Sequence, residues 1–198
     1  MDGDVVEPFQ RLKRMRVLPL LPVADGAVRI RPLDHGDAVG YARGSADDEV
    51  RRFGHLPLDE YTEQVVRDQI DGPIATGLSD GTLAVLAIAD EATDEFLGSI
   101  VLFDPRPDRA EVGFWLAPWA RGRGHAVAAL RAVCEVAAAV GLDYLEAKTN
   151  PENLGSRRVL DRCGFEQAGE PHVETAPSGR ATTLVTFERA LVEFRVNV

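Results

Sequence analysis

The sequence predicts an α+β domain, a mixed and mostly antiparallel sheet with helices over it. Three observations predict it. Apolar β-type runs at 82–90 and 95–103 are joined only by the polar linker EATD, which reads as an antiparallel hairpin. A stretch from about 123 to 140 carries apolar residues at 3.6-residue spacing, which reads as a core helix. A second paired segment closes the chain around Pro177-Ser178-Gly179. About seven strands and about four helices result, in the order β-α-α-β-β-β-α-β-α-β-β.

The elements follow in order. Residues 1–26 read as an N-terminal extension to a domain spanning 27–198, because Pro8, Pro19 and Pro22 limit regular structure. AVRIRPL (27–33) alternates apolar and charged residues, as a half-buried strand does. Asp34 can cap a short helix, and Asp59 a second over 60–70, which Gly72-Pro73 ends. After the 82–103 hairpin, RAEVGFWLA (109–117) is a strand. The helix of 123–140 follows, with Val127, Leu130, Val133, Val136 and Val140 on its apolar face and Gly141 as its stop. LDYLEAKTN (142–150) is a strand. Asn153 caps a helix to about Arg162, with Gly164 as its stop.

Composition limits the function classes. The chain has 198 residues, 45% hydrophobic and 27% charged, ordinary for a soluble domain with a sizeable core. Its net charge of -10 opposes a nucleic-acid partner, despite a basic cluster at Arg11, Lys13, Arg14 and Arg16. Cys134 and Cys163 lack metal-ligand spacing and read as buried thiols of a reducing compartment, so no metal is expected. No apolar run reaches the ~20 residues that span a bilayer. A cytoplasmic location without membrane partners is expected. A homodimer is expected only from the commonness of two-fold oligomers.

WARGRGHAVAAL (119–130) places two glycines at the mouth of a helix, where glycine is costly by about 1 kcal/mol against alanine in the interior. The first N–H groups of a helix lack partners within it and carry the positive end of its dipole. Glycine lets a phosphate approach them, and Arg121 and Arg123 add charged donors. The turn lacks the lysine of a Walker A loop. It also fails the dinucleotide fingerprint, since Val127 stands where a third glycine or alanine belongs.

Arg121-Gly122-Arg123-Gly124-His125-Ala126 fits the pyrophosphate loop [RQ]-x-x-G-x-[GA], and the chain resembles the GNAT superfamily of acetyl-CoA-dependent N-acyltransferases. The flanks AEVGFWLAPWARGRGHAVAAL and TNPENLGSRRVLDRCGF resemble its RimJ/RimL-type branch, as does VRIRPLDHGDA (28–38). The resemblance covers about 27–190. It implies a central sheet whose strands splay at the acetyl-CoA site. It implies acetyl transfer to a primary amine, on a protein N-terminus or a small molecule, by direct attack in a ternary complex.

The resemblance also implies site residues. Backbone groups of Phe114, Trp115 and Leu116 would hold the pantetheine arm, while their side chains pack in the core. Arg121, Gly122, Arg123, Gly124, His125 and Ala126 would hold the pyrophosphate. Glu111 would be the general base, against the alternative of an edge-strand surface carboxylate; Glu146 is a weaker candidate. His125, within the loop, fits a loop or surface role better than that of a base. Asn153 and Ser156 would lie beside the thiol, and Arg157 would reach the nucleotide phosphates or lie on a solvated helix face. Many family members place a tyrosine shortly after as the acid for the thiolate. Here Arg157-Arg158-Val159-Leu160 holds none, so Ser156 or water is the expected proton donor. The missing tyrosine also leaves open a non-catalytic acyl-CoA-binding module on the same fold.

Overall fold

The computed structural model describes residues 14–191. Eight strands form one sheet: β1 (Val23–Asp25), β2 (Val28–Pro32), β3 (Ala84–Asp90), β4 (Phe96–Phe103), β5 (Arg109–Leu116), β6 (Tyr144–Thr149), β7 (Glu166–Thr175) and β8 (Ala181–Ala190). Their spatial order is β1-β2-β3-β4-β5-β6-β8-β7. Every pairing is antiparallel except β5 with β6. A parallel pair needs a crossover, and α5 (His125–Ala139) supplies it. This is the predicted mixed, mostly antiparallel sheet of a GNAT-like fold.

Alternation along the strands builds two cores. Leu86, Ile88, Ile100, Leu102 and Val112 join the larger cluster with Leu130, Val133 and Val136 of α5. Ala87, Phe96 and Trp115 point the other way, into a smaller cluster with Tyr41 and Val66. Tyr41 lies on α1 (Ala38–Ser45) and Val66 on α3 (Glu63–Gln69). The sheet therefore lies between two helical layers.

The first half of the chain departs from expectation in three ways. Residues 1–13 of the expected extension lie outside the described residues. Within its remainder, Met15 and Val17 are buried in the core and 23–25 forms β1, regular structure that the prolines were expected to limit. The proline spacing hid this, because each proline interrupts a periodicity too short to read. Second, the helical region holds α1, α2 (Asp48–Phe53), α3 and α4 (Ala75–Asp80). With α5 and α6 (Leu154–Arg162), the described residues hold six α-helices rather than about four. Third, Asp59 is not the cap of α3. The Thr62 hydroxyl accepts from Val65 N at 3.2 Å, and Asp59 instead accepts from Arg180 at 2.8 Å. Gly72-Pro73 does not end the helical run either. It falls in one wide π turn, Ile70–Ile74, where the missing proline N–H is tolerated, and α4 follows.

Candidate active site

The paired part of β5 and β6 is short. Their register runs only from Arg109↔Tyr144 to Glu111↔Glu146. Beyond it, residues 112–116 of β5 stay bonded to β4, and 147–149 of β6 stay bonded to β8. The two strands part, and a cleft opens between them. This is the splay expected from the resemblance.

A groove of about 410 Å³ runs from this cleft across the glycine-arginine turn. Its strand wall is Phe114, Trp115 and Leu116. Gly122 (φ +78°) and Gly124 (φ +82°) both sit in the left-handed region that glycine favours. A Cβ on either would meet nothing within 4 Å, so the backbone faces open space. Gly124 is also the N-cap residue of α5, where no side chain satisfies the first N–H groups. His125 and Ala126, the first residues of α5, line the same groove. His125 is 7% exposed and its Nδ1 has no partner among the described residues, so it is a buried loop-to-helix residue rather than a surface one.

The opposite wall comes from α6. Asn153 caps it, accepting from Ser156 N at 3.0 Å, and Gly155 and Ser156 line the groove. Arg158 and Arg162 line it as well. Sequence reasoning passed these two over, although the i, i+3, i+7 spacing puts both on the face of Gly155. Arg157 points elsewhere and donates to Pro151 O at 3.3 Å; it does not line the groove, as a residue one position off that face would not. Arg123 is exposed and lies outside the groove too. Arg121 lines it, but its guanidinium already donates to Asp47 and to Leu116 O. It braces the turn against α2, whose N-cap is that same Asp47.

A second cavity, about 270 Å³, adjoins the groove on the other side of the cleft. The two share Phe53, Gly54, Phe114, Trp115 and Ser156. Glu111 lines only the second cavity. Its side chain is 13% exposed, so it is not a surface carboxylate. Lys148 Nζ lies 3.5 Å from Glu111 and holds Glu174 more closely, at 2.9 and 3.1 Å. Burial pushes the Glu111 carboxyl above the usual carboxylate range, and Lys148 only partly offsets this. That direction suits a group that must accept a proton near neutral pH.

Glu146 behaves differently. Its carboxylate accepts from Arg106 and from Arg109, the latter at 2.7 Å. Burial would raise its pKa, but these two guanidinium bonds outweigh it and the net direction is down. A carboxylate so clamped is a poor base and a good structural tie. Trp115 is 8% exposed and packs edge-on to Tyr41 with ring centroids 5.1 Å apart, as core packing requires. Cys134 and Cys163 are both buried free thiols. Burial pushes Cys134 up to about 12, which leaves it unreactive.

The parted strand pair and the open glycine turn at a helix mouth are the arrangement that the resemblance implied. The chain belongs to the acetyltransferase (GNAT) domain family, whose model matches residues 27–166. An uncharacterized N-acetyltransferase, p20 of Bacillus licheniformis, is 27% identical over 145 residues, covering 71% of this chain and 79% of that one. The fold is also similar to Mycobacterium smegmatis RimJ in complex with CoA-disulfide. That match has a TM-score of 0.72 and 21% identity, covering 90% and 91% of the two chains. Spermidine N-acetyltransferase from Vibrio cholerae, in complex with CoA and spermine, has a TM-score of 0.70 and 15% identity, covering 85% of this chain and 98% of that one. Among the described residues, no group of three or more His, Cys, Asp or Glu could hold a metal ion, and no helix is long and apolar enough to cross a membrane.

Proposed function

We propose that the protein moves an acetyl group from acetyl-CoA to a primary amine by direct attack in a ternary complex. The observation that carries this is the meeting of two cavities at Ser156 and Phe114. One holds the open glycine turn; the other holds Glu111.

The groove fits the co-substrate. Gly122 and Gly124 leave backbone N–H groups open to a pyrophosphate, and Arg158 and Arg162 add charge from the facing wall. Of residues 112–116, the backbone groups on the side away from β4 are released from β6 by the splay and can hold the pantetheine arm. Acetyl-CoA supplies the activated acetyl group when bound there.

The remaining work falls to the chain. Glu111 takes a proton from the amine, whose ammonium form is otherwise stable to a pKa near 10. The neutral nitrogen attacks the acetyl carbon, and as the C–S bond breaks the extra proton on that nitrogen passes to the departing thiolate, relayed by Ser156 or by water. Holding both partners in the joined cavities supplies much of the rate through proximity. Ser156 lines the junction itself, which supports it as the donor in place of the missing tyrosine.

Glu111→Gln is the test. Turnover on an amine, followed by thiol release, should fall about 10²- to 10⁴-fold. The Kd for acetyl-CoA should not change. Turnover equal to wild type at every pH removes Glu111 from the mechanism.

A further inference from the structure

The second cavity has a chemistry of its own. Apart from its charged end, its walls are mainly apolar, with Tyr61, Leu56, Val66, Ile74 and Phe103 typical and Gln69, Ser99 and Thr149 among the few polar groups. Tyr41 and Tyr61 pack with ring centroids 5.3 Å apart at its side. Burying a polar chain against such walls costs about 1–3 kcal/mol for each group left unpaired. The volume, about 270 Å³, lies just under the range of roughly 300–1,000 Å³ that holds drug-sized ligands. The part of the acceptor held inside is therefore compact.

The charge at one end is limited. Glu111, Glu174 and Lys148 line the cavity and form one chain of contacts. His172 Nε2 also contacts Glu174, at 3.1 Å, so Glu111 is the less engaged carboxylate of this chain of contacts and the one left to meet a cationic amine. A polyamine would bring two or more ammonium groups, and among the described residues the walls hold no carboxylate beyond Glu111 and Glu174 for the others.

A polar side chain borders the cavity elsewhere. His55 lines it from the loop between α2 and α3, with φ +49°, a conformation uncommon outside glycine. Its Nε2 is buried and has no hydrogen-bond partner among the described residues. The His55 imidazole thus borders the cavity with one nitrogen unpaired, and a turn of its side chain would offer that nitrogen to a ligand group.

We propose that the acceptor is a compact arylalkyl or branched-alkyl primary amine, with its amine at Glu111, its apolar body against Leu56 and Tyr61, and one hydrogen-bonding substituent at His55. This deepens the acetyl-transfer reading and rests on it. His55 is then a specificity-determining residue.

Full-length protein, with acetyl-CoA and thiol release as the readout, tests it on four acceptors: phenylalaninamide, 2-phenylethylamine, spermidine and a peptide beginning with serine. Acetyl-CoA binding is measured separately by calorimetry. Phenylalaninamide is expected to be used best, 2-phenylethylamine next, and the polar acceptors at least about tenfold less well in kcat/KM. His55→Leu should abolish the preference for phenylalaninamide over 2-phenylethylamine. Leu56→Asp, at a half-buried position, should raise KM for both apolar amines about tenfold with the acetyl-CoA Kd unchanged. If acetyl-CoA binds but spermidine or the peptide is used as well or better, or none of the four is acetylated, the acceptor class is wrong and the cofactor reading stands. If acetyl-CoA does not bind, the functional reading itself falls, and this proposal with it.

Discussion

Glu111 and Glu146 are register partners on neighbouring strands, yet their surroundings drive them in opposite directions. Glu111 has burial and one shared lysine; Glu146 has two arginines. The pair shows how environment, not residue type, assigns a carboxylate its role. A base must be ionised to act, so the rate should rise with pH through the Glu111 pKa, which burial has raised. Lys148 opposes that shift. Lys148→Met removes the opposing charge, so the rising limb of the kcat/KM profile should move to higher pH. A limb that stays in place, or moves down, would show that another group titrates there. Sequence alone named Glu111 through its strand and the resemblance. It could not supply Lys148, Glu174 or His55, because only the tertiary fold brings β6, β7 and the α2–α3 loop to one cavity.

At the scale of elements, the β5–β6 pair does two jobs. Its paired end is tied by Arg106, Arg109 and Glu146; its free end opens the cleft. Glu146→Gln leaves hydrogen bonds but removes the charge that two guanidinium groups share. It should cost about 1–3 kcal/mol of stability without changing KM for either substrate. The carboxyl is lowered in the folded state, so its contribution is full above the pKa of an unfolded glutamate, about 4.3. It fades as pH falls through the lower folded value, and the urea-melt difference between wild type and variant should shrink in step. A difference that persists into strong acid would assign the loss to packing instead. On α6, Arg158→Ala with Arg162→Ala should weaken acetyl-CoA binding and flatten its salt dependence. Replacing Arg157, which is turned to Pro151, should do neither. The spacing 155, 158, 162 was legible; which helical face meets the groove was not.

Across the whole molecule, the order of elements was legible because alternation and 3.6-residue spacing are strong in 82–140. Where local signals are short or polar, they misled. β1 is three residues long, Met15 sits ahead of two prolines, and Thr62 and Asp59 are equally plausible caps by type. The central claim joins what both sources give: the open turn at Gly122 and Gly124 receives acetyl-CoA and delivers it to the cleft beside Glu111. Calorimetric titration of acetyl-CoA into wild type and Gly124→Val tests it most directly. At φ +82° a valine is strained and places its side chain in the open space before the N–H groups. The account predicts saturable binding to wild type and at least about tenfold weaker binding to the variant, about 1.4 kcal/mol, with both folded by circular dichroism. Equal binding to both, or none to wild type, would contradict it.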